Sequence, residues 1–330
     1  MATVTESSGH GSHSGVIAAL KRYNKNPILL PNQDNWWESE AVFNPAILYD
    51  GNKVHMLYRA VGEYEQYISR FGYAYSTDGF NFERKNGIAL RPTEGYEKYG
   101  IEDPRLMTID NQVYLSYVVL SDYVANGEVT SYTALASASD FHNYTRLGII
   151  TSIGSDNKDV VLFPEKINQK YLVLHRPHNW VGPRFGVDKP SIWIAEGDTL
   201  TKFDNHTLLM KPEQDWEILK IGSGPPPLKT KDGWLLIYHG VDKNSVYRAG
   251  AALLDLNNPV RVIARTMKPI LQPEEPYERT GYVNNVVFPT GACIIDERLH
   301  VYYGGADKVC CLAVVELSDL LSDILNEARK

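Results

Sequence analysis

The 330-residue chain is poor in sulfur, with three cysteines and five methionines. Cys293, Cys310 and Cys311 have the spacing of neither a disulfide framework nor a metal-ligand set. The pair at 310–311 sits in an apolar run, so buried thiols are expected. Positive charge is also in deficit: 33 Lys and Arg against 40 Asp and Glu give a net charge of -7. Nucleic acid or an anionic membrane as partner would need a basic face, so neither is expected. A small anion needs only a few local cations and is not excluded. There is no P-loop, HExxH or dinucleotide fingerprint, so no cofactor and no metal are expected. Long apolar runs are absent. GVIAAL, residues 15–20, is too short for a signal h-region or a membrane span, which makes a cytoplasmic location the expectation. The Asn-X-Thr sites at Asn143 and Asn205 would then carry no glycan. Residues 1–20, rich in Gly, Ser and His, read as disordered or expression-derived, and residues 21–330 as one catalytic domain.

Aromatic side chains are abundant, with 21 Tyr and 6 Trp, which suits β-strands and also suits stacking on the apolar face of a sugar. The chain repeats one pattern five times: VFNPAILYDGNKVHMLYRA from Val42, IEDPRLMTIDNQVYLSYV from Ile101, VVLFPEKINQKYLVLHRP from Val160, GSGPPPLKTKDGWLLIYHG from Gly222 and VVFPTGACIIDERLHVYYGG from Val286. Each copy has a proline, an apolar strand, a polar turn (DGN, DNQ, NQK, KDG or DER) and an aromatic-rich strand, which is hairpin chemistry. Pro45, Pro104, Pro164, Pro227 and Pro289 recur about every 60 residues. A further strand follows each hairpin. A sandwich also has evenly spaced hairpins, but one proline position shared by five units favours an all-β, five-bladed β-propeller. Only the C-terminus has helical spacing. There Leu317, Leu320, Leu321 and Ile324 share a face, and Ser318 is the expected cap.

In a propeller the innermost strands line the axis. The residues before each proline are then candidates for an axial ring: Asn44, Glu102 and Asp103, Phe163, Ser223 to Pro226, and Phe288. The second strands return to the same side, bringing Arg59, His175 and Arg176, His239 and Asp307. Lys220 and Tyr247 complete a candidate cationic pocket. Arginine holds phosphate or carboxylate in a fork, and lysine adds a point charge. Such a pocket facing a carboxylic acid suits phosphorolysis of a glycoside, in which one carboxyl protonates the leaving oxygen and a bound anion attacks the opposite face. An inverting hydrolase needs a second carboxylate there instead.

VFNPA, LYRA, GIEDPR, NKDVVLFPEKINQKYLVLHRP, WEILKIGSGPPP, GWLLIYHGV, YRAGAALLDL, GYVNNVVFPTG and YYGGAD together resemble glycoside hydrolase family 130, the inverting β-mannoside phosphorylases. The resemblance covers Asn26 to Ser322. It implies a five-bladed propeller and assigns the proton donor to Asp103, which relays its proton through the 3-hydroxyl of the mannosyl unit. It implies phosphate binding by Arg176, Lys220, His239 and Tyr247, and by Lys158, which stands where some members have Arg. Asn44, Arg59 and Asp307 match sugar-contacting positions, and Glu102 would line the donor subsite. Inorganic phosphate is the implied co-substrate, a β-mannooligosaccharide the substrate, and a homo-oligomer the favoured assembly. Two rival readings stand beside it. An inverting β-mannosidase would take Glu165 as its second carboxylate. A non-catalytic mannoside-binding propeller gives no reason for the basic ring. The loops VGEYEQYISR and RPHNWVGPRFG would set linkage and acceptor, with Tyr64 and Trp180 as candidate stacking platforms.

Overall fold

The computed structural model of the chain describes residues 20–93, 95–125, 128–152, 154–327 and 329. They form five antiparallel sheets, four of which run outward from the axis in chain order. Blade 1 holds Ala41–Tyr49, Val54–Val61, Arg70–Ser76 and Glu83–Leu90. Blade 2 holds Ile101–Ile109, Gln112–Ala125, Glu128–Ala138 and Tyr144–Ile149, and blade 3 holds Asn157–Leu162, Tyr171–Pro177, Ile192–Thr199 and Lys202–Met210. Blade 4 is built on Lys220–Ser223 and Leu228–Lys229, then Trp234–Val241, Tyr247–Leu254 and Val262–Arg265. Blade 5 has only three strands from the C-terminal end, Val287–Ile295, Arg298–Gly305 and Val309–Glu316. Its fourth is Lys21–Arg22 from the other end of the chain, paired Lys21 to Val314 and Arg22 to Ala313, which closes the ring. The expected N-terminal segment lies outside the described residues except for Leu20, which is buried and donates its N–H to Ile270 O at 3.1 Å.

The turns follow from local chemistry. Asp110-Asn111, Asn168-Gln169 and Asp296-Glu297 each place two consecutive residues at positive φ, as a two-residue hairpin turn demands. In blade 1 the Asp50 carboxylate accepts from the N–H groups of Asn52 and Lys53 at 2.8 and 2.7 Å. Because blades pack face to face, each strand sends alternate side chains to opposite neighbours. Leu57 joins the core between blades 1 and 2, while Met56 and Tyr58 join the core between blades 1 and 5. Leu235 and Ile237 likewise pack on blade 5, and Trp234, Leu236 and Tyr238 on blade 3.

Four blades share a buried polar latch. Tyr58, Tyr117, Tyr238 and Tyr303 donate their hydroxyls to Glu38, Glu97, Glu217 and Glu278 at 2.7, 2.7, 3.0 and 2.7 Å. Each glutamate also pairs with an arginine of its blade's outermost strand: Arg84 at 3.3 Å, Arg146 at 2.8 Å, Arg265 at 2.5 Å and Arg22 at 2.8 Å. Blade 3 has His175 at the tyrosine position, and its Nε2 meets Nδ1 of His206 on the outermost strand at 2.9 Å.

Two sequence expectations need correction here. The prolines do not share one structural position. Pro45 and Pro104 lie inside equivalent β-bulges, but the equivalent residue of blade 3 is Val160. Pro164 follows that strand, and Pro227 lies beyond the first strand segment of blade 4. The C-terminal helix, Leu317–Glu327, buries Leu320, Leu321 and Ile324 as its spacing predicts, but Ser318 lies inside it and is not its cap. The thiols of Cys293, Cys310 and Cys311 are free and buried.

Candidate active site

Three innermost strands carry the same device. In blades 1, 2 and 3 one extra residue enters the strand after Phe43, Glu102 and Lys158, and the bulged residue turns left-handed: Asn44 at φ 47°, Asp103 at 48° and Asp159 at 58°. Asn and Asp tolerate this region better than other non-glycine residues. The bulge re-aims a polar side chain at the axis, which is the usual effect of a bulge near a functional centre. The second strands add Arg59, Arg176 and His239, the residues directly after the Tyr58, His175 and Tyr238 latch positions. Asp307 enters from a turn in which it and Ala306 both have positive φ.

These groups line a cavity of about 370 Å³, and it is electrostatically divided. On the side of blades 1, 2 and 5 lie Asn44, Arg59, Glu102, Asp103 and Asp307. Asn44 Nδ2 donates to Asp103 Oδ1 at 2.7 Å. Arg59 pairs closely with Glu102 and reaches Asp103 Oδ1 at 3.5 Å. Burial pushes the Glu102 carboxyl up, but Arg59 and Lys158 outweigh it and hold it below the usual carboxylate range. Asp307 moves the other way: burial, with Asp103 and Glu102 nearby, raises it to about 7 against the opposing pull of Arg59.

On the side of blades 3 and 4 lie Lys158, Arg176, Lys220, His239 and Tyr247. Lys158 stands at the boundary and donates to Glu102 Oε2 at 3.2 Å. Lys220 lies 5.2 Å from the Tyr247 ring centroid, and burial, with Arg176 adjacent, lowers its ammonium to about 8. Burial also holds His239 neutral, at about 3. Among the described residues, neither ring nitrogen of buried His239 has a hydrogen-bond partner, nor does Nη1 of buried Arg176. Buried donors of this kind are costly unless something accepts from them.

The ten residues given catalytic, phosphate or sugar roles from the sequence therefore line one cavity, as does Phe288 of the expected ring. Five other expectations differ, three of the ring and two outside it. Phe163 is core, edge-on to Trp234 at 5.3 Å, because the blade 3 register places Lys158 and Asp159 at the axis instead. Ser223 is buried and Pro226 lines the opposite end of the channel. His175 points to the other strand face from Arg176 and bonds His206 and Asn157. Trp180 packs on His175, Phe185, Trp193 and His206, so it is no free platform. Glu165 is exposed and paired with Lys229 at 2.6 Å, outside the cavity.

Sequence reasoning missed Asp159, Asp156, Ser131 and His178, all of which line the cavity. Asp159 is the most telling. It accepts from Arg176 at 2.5 and 3.0 Å and lies 3.7 Å from His239 Nε2. Burial pushes its carboxyl up, but Arg176, with Arg105 nearby, outweighs this and keeps it ionised. Gly222 permits the arrangement, since a Cβ there would collide with both Asp159 and His239. The signal was present in the sequence: NKDVV places its Asp before an apolar strand just as FNPAI and EDPRL place Asn44 and Asp103. Buried Arg105 braces the bulge of blade 2, donating Nε to Gly224 O at 2.6 Å and Nη1 to the carbonyls of Asp103 and Pro104.

Comparison with known proteins agrees with this fold and places the chain among mannoside phosphorylases. A family model described as beta-1,4-mannooligosaccharide phosphorylase matches residues 19–327. A 1,2-beta-oligomannan phosphorylase of Thermoanaerobacter sp. (strain X514) is 43% identical over 307 residues, 91% of this chain and 98% of the relative. A beta-1,2-mannobiose phosphorylase of the same organism is 42% identical over 90% of this chain and 97% of its own length. The solved structure of the beta-1,2-mannobiose phosphorylase from Listeria innocua, in complex with beta-1,2-mannobiose, superposes with a TM-score of 0.81 at 29% identity, covering 92% of this chain and 99% of that one.

Proposed function

The chain belongs to glycoside hydrolase family 130, and on that premise we propose that it cleaves β-1,2-linked mannooligosaccharides by inverting phosphorolysis, releasing α-mannose 1-phosphate and a sugar shortened by one unit. The observation that carries this reading is the set of unpartnered buried donors on His239 and Arg176 opposite the Asp103 carboxyl. A tetrahedral oxyanion is the small molecule that such a set accommodates. The β-1,2 linkage is favoured by the two relatives above 40% identity, whose named activities concern β-1,2-linked mannosides.

In this reading the terminal mannosyl unit lies between Asn44, Arg59, Asp103 and Asp307. Arg176, Lys220, His239 and Tyr247 hold phosphate beneath C1, and Lys158 closes the phosphate side while paired with Glu102. A phosphate oxygen forms the new bond to C1 as the bond from C1 to the bridging oxygen breaks. Asp103 supplies the proton that the bridging oxygen takes up, relayed through the 3-hydroxyl of the terminal mannosyl unit. Attack from the face opposite the leaving group converts the β-linkage to the α-phosphate. The positive field on the phosphate side opposes a carboxylate base that would activate water there, and the carboxylates on that side are already engaged, Asp159 by Arg176 and Asp156 by Ser131. Buried free thiols fit a reducing compartment, and a cytoplasmic location and self-association belong to the same proposal. No described helix is long and apolar enough to cross a membrane.

The linkage is tested by offering β-1,2- and β-1,4-mannobiose separately at saturating phosphate. Faster release of mannose 1-phosphate from the β-1,2 disaccharide is expected, and a preference for the β-1,4 disaccharide would reverse the assignment.

A further inference from the structure

Three tyrosines beside the cavity are not used by the chemistry above. Tyr64 and Tyr67 lie on the loop after the second strand of blade 1, and Tyr282 on the loop entering blade 5. Their rings are nearly parallel, at 10° to 19°, with centroids 4.5 Å apart for Tyr67 and Tyr282, 5.1 Å for Tyr64 and Tyr282 and 6.0 Å for Tyr64 and Tyr67. They adjoin the acidic half of the cavity. The Arg59 guanidinium lies 5.4 Å from the Tyr67 centroid, and Val283, next to Tyr282, is a cavity wall. Tyr282 is 51% exposed and Tyr64 38%, whereas the strand tyrosines Tyr58, Tyr117, Tyr238 and Tyr303 are buried.

We propose that this stacked tyrosine patch is a sugar platform that receives the first pyranose on the leaving-group side of the scissile bond. The proposal rests on the reading of the cavity as a mannoside phosphorylase site. The geometry supports it in two ways. An aromatic face that stays exposed beside a polar pocket offers apolar contact to the C–H face of a pyranose, while each phenol hydroxyl can still reach water or a sugar hydroxyl. The position also fits. The terminal unit is enclosed by blades 1, 2 and 5, phosphate by blades 3 and 4, and the patch bridges blades 1 and 5 at the rim where the rest of the substrate must leave the cavity. The Tyr64 hydroxyl is tied to Glu40 O at 3.2 Å, which fixes one ring and holds the stack in place.

Run in the synthetic direction, the reaction separates the two sugar sites. Mannose 1-phosphate fills the enclosed part of the cavity, and free mannose is the acceptor at the rim. Tyr282→Ala is expected to raise KM for mannose roughly threefold to tenfold, the scale of one aromatic contact. KM for mannose 1-phosphate should stay within twofold, and Tyr282→Phe should behave as wild type. Tyr64→Ala, in the other loop, should shift the mannose KM in the same direction. Unchanged mannose KM in both alanine variants would overturn the platform while leaving the phosphorylase reading intact. Equal losses in both KM values would show a latch between loops and would also overturn it. A wild-type enzyme that makes no mannoside from mannose 1-phosphate would defeat the phosphorylase reading itself and the platform with it.

Discussion

At the residue scale the centre of the phosphate side is a carboxylate. Asp159 is buried among Arg176, His239 and Arg105, and it holds Arg176 in a two-pronged contact. Removing one partner of such a pair leaves buried charge without compensation, which costs about 3–5 kcal/mol. Asp159→Asn should therefore melt well below wild type in phosphate-free buffer. Added phosphate, which supplies negative charge to the same cations, should raise the melting temperature of the variant more than that of wild type. Equal melting of the two proteins without phosphate would contradict this role. Lys220 gives a pH signature. Its ammonium, lowered to about 8, loses its proton as pH rises through that value, so the site then holds one cation fewer. KM for phosphate should climb between pH 7 and pH 9 while KM for the sugar stays level. A flat phosphate KM over that range would remove Lys220 from the site. The ten cavity residues were legible because each follows a repeat landmark or a family motif. Asp159 was not, because the proline used as landmark is replaced by Val160 in its blade and the register was read from Pro164 instead.

At the element scale, the blade is defined as much by its latch as by its hairpins. The tyrosine of the second strand, the glutamate before the first strand and the arginine of the outermost strand tie the inside of a blade to its edge. Glu97 has no exposed surface and accepts from Tyr117, Arg146 and Thr93. Glu97→Gln should lower stability by about 3–5 kcal/mol. Because blades 2 and 4 are not adjacent, the loss should add to that of Glu217→Gln. Denaturant titration of the two single variants and the double variant checks both statements, and a neutral Glu97→Gln would contradict the latch. Hairpin turns and strand alternation were legible, since turn residues and period-two burial act over a few positions. The latches act across 20 or more residues, from Tyr117 to Glu97 and from Arg146 to Glu97. Their trace in the sequence is an aromatic residue before each glutamate: Trp37-Glu38, Tyr96-Glu97, Trp216-Glu217 and Tyr277-Glu278. Blade 3 breaks the pattern with His175 and His206, and no local rule announces that exchange.

At the scale of the whole molecule, five blades close on a two-residue strand from the start of the described chain, with Arg22 bonded to Glu278 behind the last blade. The closed ring brings side chains from every blade to one cavity, with Glu102, Asp103 and Asp307 toward one side and Lys158, Arg176 and Lys220 toward the other. In the proposed mechanism that division favours phosphate over water as the attacking group. The direct test is proton NMR of the products from β-1,2-mannobiose, with and without inorganic phosphate. The account predicts α-mannose 1-phosphate that appears only when phosphate is present. Free mannose released at the same rate without phosphate would contradict it.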